Sequence, residues 1–277
     1  MIHPIEAESY RILAGRVDLD RWPPLARTVV ARVIHASADP GYADTLVVDE
    51  AACAAGLAAL EAGAPVVADV EMVTVATRRA GTRCLLVEGR AMQARLLDAE
   101  PRLTASAAAM RVAAERFPAG AVVVVGNAPT ALFEVVRLVR AGRFAPALVI
   151  GLPVGFVGAA DAKAALRACD VPSISNVGER GGSAVAAAAL NALWRLRHTG
   201  AREDATVVHP GVGPRRARPT EGADDVQPGT EPCRASAGEA GDEIHPEPGS
   251  PDPDPAPAPE PEPEPCLLYT SPSPRDS

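Results

Sequence analysis

Short apolar runs alternate with longer, alanine-rich amphipathic stretches along the first 200 residues. The apolar runs at 65–69, 83–87, 121–125, 147–150 and 173–176 each end in small or turn-forming residues, and their length predicts strands. The stretches at 50–62, 104–117, 129–140, 159–169 and 183–196 carry helical spacing, as do two earlier ones at about 5–14 and 21–35. An unbroken run such as Ala121-Val122-Val123-Val124-Val125 suits a strand covered on both faces. Regular strand–helix alternation predicts right-handed crossovers and an open, parallel, five-stranded sheet in a three-layer α/β fold. Such sheets hold ligands beyond the carboxyl ends of their strands, where the strand order reverses. Chemistry is therefore expected in the loops that follow each strand.

The pattern stops near residue 198. Residues 201–277 hold 17 of the 28 prolines and only eight large apolar side chains, too few to offset the entropy of ordering the segment. The expectation is one globular domain, 1–198, followed by a disordered Pro- and acid-rich tail, 199–277. The final stretch from Cys266 to Ser277 looks like translated read-through and carries no functional argument. Charge divides the same way. Residues 1–200 carry 21 Lys and Arg against 19 Asp and Glu, a net of +2, whereas the tail carries 6 against 16. The overall charge of −8 belongs to the tail, and the near-neutral domain, with little aromatic content and no basic stripe, predicts no nucleic-acid partner. Lys163 is the only lysine. Five cysteines without C-x-x-C or close His pairing predict neither a disulfide framework nor a structural zinc site. The N-terminus has no basic and apolar leader pattern. The uncharged stretch 144–160, which no other exceeds in length, is interrupted by Pro146, Gly151, Pro153, Gly155 and Gly158. No secretion and no membrane span are expected, hence a cytoplasmic protein.

His35 is the only histidine well inside the predicted domain; it ends an apolar run and is followed by small residues, as at a helix end opening onto a cavity. Imidazole exchanges protons near neutral pH, so either a structural or a catalytic role fits. Three post-strand loops stand out. In Gly126-Asn127-Ala128-Pro129-Thr130, Asn127 suits an N-cap, Pro129 suits a first helical turn, and the helix start would offer amides to an anion. Gly151-Leu152-Pro153-Val154-Gly155-Phe156-Val157-Gly158 matches neither G-x-G-x-x-G nor a P-loop, and suits a flat hydrophobic ligand better than a nucleotide. Glu179-Arg180-Gly181-Gly182-Ser183 combines a fixed cation with close backbone approach, an arrangement for carboxylate or phosphate. Met72, after the first predicted strand, reads as core or as a ligand contact.

Taken in order, these strings resemble the precorrin-8X methylmutase family of corrin biosynthesis. The resemblance runs from about residue 2 to 196. It rests on His3-Pro4-Ile5-Glu6-Ala7-Glu8-Ser9-Tyr10, Val33-Ile34-His35-Ala36, Asp69-Val70-Glu71-Met72-Val73 and Gly126-Asn127-Ala128-Pro129-Thr130-Ala131-Leu132-Phe133. The Gly151–Ala159 loop and Arg180-Gly181-Gly182-Ser183, with Asn191-Ala192-Leu193, complete it.

The resemblance implies a flavodoxin-like fold, a homodimer with its tetrapyrrole near the subunit interface, and migration of a methyl group from C11 to C12 of precorrin-8X or its cobalt form, with no added cofactor. It places the family's catalytic histidine on His35 and a substrate-contacting serine on Ser9. Met72, Asn127, Thr130, Gly151, Pro153, Gly155, Arg180, Gly182 and Ser183 are the further candidate substrate contacts. Two positions depart from the family's pattern: Thr104-Ala105-Ser106 lacks an arginine, and Ala76 stands where a glycine is usual. They keep open a tetrapyrrole-binding protein without catalysis. A flavodoxin-like nucleotide enzyme is the other reading.

Overall fold

The computed structural model describes residues 3–199. The expected tail, from residue 200 on, lies outside the described residues. Among the described residues, ten α-helices and six strands follow in the order α1 (Pro4–Arg16), α2 (Pro24–Ser37), α3 (Tyr42–Thr45), β1 (Leu46–Val47), α4 (Glu50–Glu61), β2 (Val66–Ala68), α5 (Glu71–Ala76), β3 (Arg83–Cys84), α6 (Leu86–Leu96), α7 (Ala105–Arg116), β4 (Val122–Val125), α8 (Pro129–Arg140), β5 (Leu148–Gly151), α9 (Ala159–Arg167), β6 (Ser173–Asn176) and α10 (Ser183–Thr199). Proline opens α1, α2 and α8, where a missing N–H costs nothing. Asp49 caps α4 through the Ala52 amide and Thr104 caps α7 through the Ala107 amide.

The sheet has six strands in the order β1-β6-β5-β4-β2-β3. This corrects the five-stranded, all-parallel expectation. Strands β2 to β6 are parallel, but β1 pairs antiparallel with β6 through Leu46 opposite Asn176. A two-residue edge strand is too short to carry any periodicity. The expected strand at 83–87 also shrinks to Arg83–Cys84, because Leu86 already starts α6. Strand order reverses between β2 and β4.

Side chains alternate between two cores. Val66, Ala68, Val122, Val124, Leu148, Ile150 and Ile174 join α1, α2, α4 and α10, whereas Val67, Val123, Val125 and Val149 join α7, α8 and α9. That period of two puts helices on both faces of the sheet, giving three layers, and explains the continuous valine run of β4. Among the described residues Cys53, Cys84 and Cys169 are free thiols. No described helix is long and apolar enough to cross a membrane.

Candidate active site

His35 lies on the last turn of α2. Its ring stacks on Tyr10 of α1, centroids 4.6 Å apart and planes 17° from parallel. Its Nδ1 shares a hydrogen bond of 2.8 Å with the Ser9 hydroxyl, which can serve either neutral tautomer. No hydrogen bond to Nε2 occurs among the described residues. Just beyond, Ala38 takes a left-handed φ of +52°, the one non-glycine residue to do so among those described, and ends the helix. Ser9, His35, Ala38 and Pro40 line a small cavity of about 120 Å³ with Ile12 and Arg16. Burial lowers the His35 pKa, Arg32 and Arg195 push it the same way, and Glu6 opposes them. Glu6 ties these groups together: its Oε1 accepts from both Arg32 and Arg195 at 2.9 Å.

The loops after β5 and β6 are locked together. The Gly182 amide donates to the Leu152 carbonyl at 2.8 Å, and the Gly155 amide to that of Glu179 at 3.2 Å. A Cβ on Gly181 would lie 2.4 Å from the carbonyl oxygens of both Leu152 and Pro153, so only glycine permits this approach. Gly151 has a packing role: a Cβ there would meet Leu166 at 2.5 Å. Pro153 and Ser183 are buried, and Gly155 and Gly182 half-buried. Phe156 and Val157, at the tip of the β5 loop, are 91 % and 89 % exposed.

Arg180 is exposed but engaged. It forms an ion pair with Asp39 and lies over the Tyr42 ring at 4.8 Å. That pair joins the β6 loop to the turn just past His35. Met72 is 70 % exposed on α5. Asn127 is exposed and caps nothing; Ala128 is the cap residue of α8, with no side-chain bond. The amides of Gly126, Asn127 and Ala128 instead donate to the buried Asp69 carboxylate, which follows β2. In the sequence Asp69 stands only as part of a motif; the signal for its role is an acid at a strand end, to be met by a glycine-led turn. The Thr130 hydroxyl is bonded to that of Thr104 at 2.8 Å. Thr130 borders a second, larger cavity of about 1090 Å³ among α6, α7 and α8, with Arg111, Phe133 and Glu134. Thus Thr130 stands apart from the His35 cavity. Among the described residues no three His, Cys, Asp or Glu side chains gather as a metal site would need.

The Precorrin-8X methylmutase family model matches residues 4–196. The cobalt-precorrin-8 methylmutase of Priestia megaterium is 37% identical over 203 residues, covering 71% of this chain and 88% of its own. The precorrin-8X methylmutase of Pseudomonas aeruginosa is 40% identical over 195 residues, covering 68% and 93%. A crystal structure of precorrin-8X methylmutase from Thermus thermophilus superposes with a TM-score of 0.61 at 38% identity, covering 72% of this chain and 99% of that one. The resemblance in the motifs and these matches agree: the chain belongs to the precorrin-8X methylmutase family, isomerases of cobalamin biosynthesis.

Proposed function

We propose that this methylmutase moves a methyl group from C11 to C12 of precorrin-8X, or of cobalt-precorrin-8, with His35 giving a proton to the macrocycle and taking it back. The observation that supports this most is the Ser9–His35 contact, which fixes the imidazole by Nδ1 and leaves Nε2 for the substrate. Protonating the conjugated ring lowers the barrier to methyl migration, and a positioned acid of this kind contributes roughly 10²–10⁴-fold in rate. The rearrangement consumes no proton, so one group serves as both donor and acceptor.

The electrostatics favour a proton that arrives with the substrate. Burial and two arginines favour the neutral form of His35, and macrocycle carboxylates brought beside it would favour the charged one. Arg180 is the candidate carboxylate clamp, trading Asp39 for a substrate acid. The apolar tip of the β5 loop, Phe156 and Val157, supports a homodimer whose partner covers it. The run β6-β5-β4-β2-β3 supports the flavodoxin-like reading of the parallel strands. The cytoplasm is the compartment this biosynthetic role implies.

Incubation with metal-free precorrin-8X and with its cobalt form, followed by absorbance spectra, tests the reading. Conversion of either to the corresponding corrinoid acid supports it. Tight binding of both with no spectral change overturns it in favour of a carrier.

A further inference from the structure

Helical spacing places Ala159, Ala162, Lys163 and Leu166 of α9 on one face, and all four are fully buried. Three are apolar, as a core face demands. The fourth is the only lysine in the chain. It forms no ion pair with a carboxylate among the described residues. Its neighbours are Arg167, one turn on, which repels its charge, and Glu179 of the β6–α10 loop, which attracts it. Burial is the larger influence and brings the pKa down to about 8. An amine kept in such a place is costly unless its hydrogen bonds matter.

Those bonds converge on one carbonyl. Lys163 Nζ donates to the Arg180 carbonyl oxygen at 2.7 Å and to Asn176 Oδ1 at 3.0 Å. Asn176 Nδ2 donates to the same Arg180 carbonyl at 2.8 Å. Arg180 is thus held at both ends: its carbonyl is drawn inward by two donors, and its guanidinium reaches out to Asp39. On either side, Glu179 and Gly182 bond to the β5 loop. With its carbonyl free to rotate, the peptide would lose the direction that sends the side chain towards the turn after His35.

We propose that Lys163, with Asn176, is the positioning residue that sets the β6–α10 loop and so aims Arg180 at an acid group of the macrocycle. This deepens the function proposed above and rests on it for the substrate.

The lone lysine permits a direct test on the unaltered chain. Lysine-selective ¹⁵N spectra should show one ammonium whose protons exchange slowly enough to give a cross-peak below pH 7. A fast-exchanging amine with no cross-peak overturns the clamp. The second arm is Lys163→Met, which keeps length and removes the donors. Hydrogen exchange at the Gly155 and Gly182 amides should speed up at least tenfold while the amides of β4 stay protected. Unchanged loop exchange in a folded variant overturns the proposal whatever the reaction is. With substrate, KM should rise about tenfold and kcat stay within twofold. Equal falls in kcat and kcat/KM, or no change in either, would overturn the assignment of Arg180's aim to Lys163. Wild-type protein that turns over no macrocycle, yet keeps the slow ammonium and the loop effect, would strike the functional reading and spare the clamp.

Discussion

The Asp69 carboxylate receives the backbone amide of Ala128 at 2.7 Å, at the entrance to α8. Asn127 and Gly126 donate to it as well, at 2.9 and 3.0 Å. A helix start beyond a parallel strand attracts an anion, and here the chain supplies its own. Burial raises the Asp69 pKa while the three amides, and its own, pull it down. The acid sits where strand order reverses, between the ends of β2 and β4. Asp69→Ala would strand three amides, the buried one of Gly126 and the partly buried ones of Asn127 and Ala128, and a fully buried amide without a partner costs about 1–3 kcal/mol. Urea denaturation should show a loss of about 3 kcal/mol or more. A loss under about 1 kcal/mol would mean the turn holds itself.

Ser9→Ala removes the partner of His35 Nδ1 and leaves the Tyr10 stack in place. The imidazole should lose its orientation but not its presence. We expect turnover to fall about tenfold, equivalent to roughly 1.4 kcal/mol of barrier, with KM little changed. Full activity would make the hydroxyl a bystander.

Glu6 links stability, and the proposed chemistry of His35, to pH. Burial raises its pKa, but Arg195 and Arg32 outweigh that and hold the carboxyl below its ordinary value of 4.5. A carboxyl depressed in the folded protein stabilises it above that ordinary value and ceases to do so as pH falls through the folded one. Glu6→Gln should therefore destabilise by about 0.5–1 kcal/mol at pH 7, with the difference fading in acid. Glu6 also supports the charged form of His35. The same variant should lower the His35 pKa, followed by NMR titration of the ring. A raised value would contradict the electrostatic account.

Phe156 tests the proposed homodimer. A nearly bare aromatic ring beside a bare valine is an unusual surface feature unless another molecule covers it. Phe156→Asp should shift the sedimentation coefficient towards that of a monomer. An unchanged dimer would remove the β5 loop from the interface.

Much of the architecture is readable from local pattern. The valine run of β4, the start of α8 at Pro129 and β6 at Ser173–Asn176 agree with the apolar runs and breakers. What failed was short or settled at a distance. β1 is two residues whose place depends on Asn176, far along the chain. Leu86 and Val87 continue an apolar run, yet Val87 is exposed on α6, and periodicity over so few residues cannot separate strand from helix. Asn127 has the chemistry of a cap, but Asp69, 58 residues earlier, takes its amide. Histidine at 35 was conspicuous by rarity. Its pairing with Ser9, 26 residues earlier, follows from the packing of α1 on α2; the resemblance points to Ser9 as a substrate contact, not as the partner of His35. Arg180 reads from the sequence as a cation for a carboxylate or phosphate; tertiary folding gives it Asp39 and Tyr42.

The central claim is that the His35 imidazole carries the proton. Purified His35→Ala and His35→Gln should be compared with wild type for conversion of precorrin-8X and its cobalt form by absorbance, with circular dichroism confirming the fold and direct titration measuring binding. The account predicts intact structure, retained binding and a rate at least about 100-fold lower. Wild-type turnover by either folded variant would contradict it.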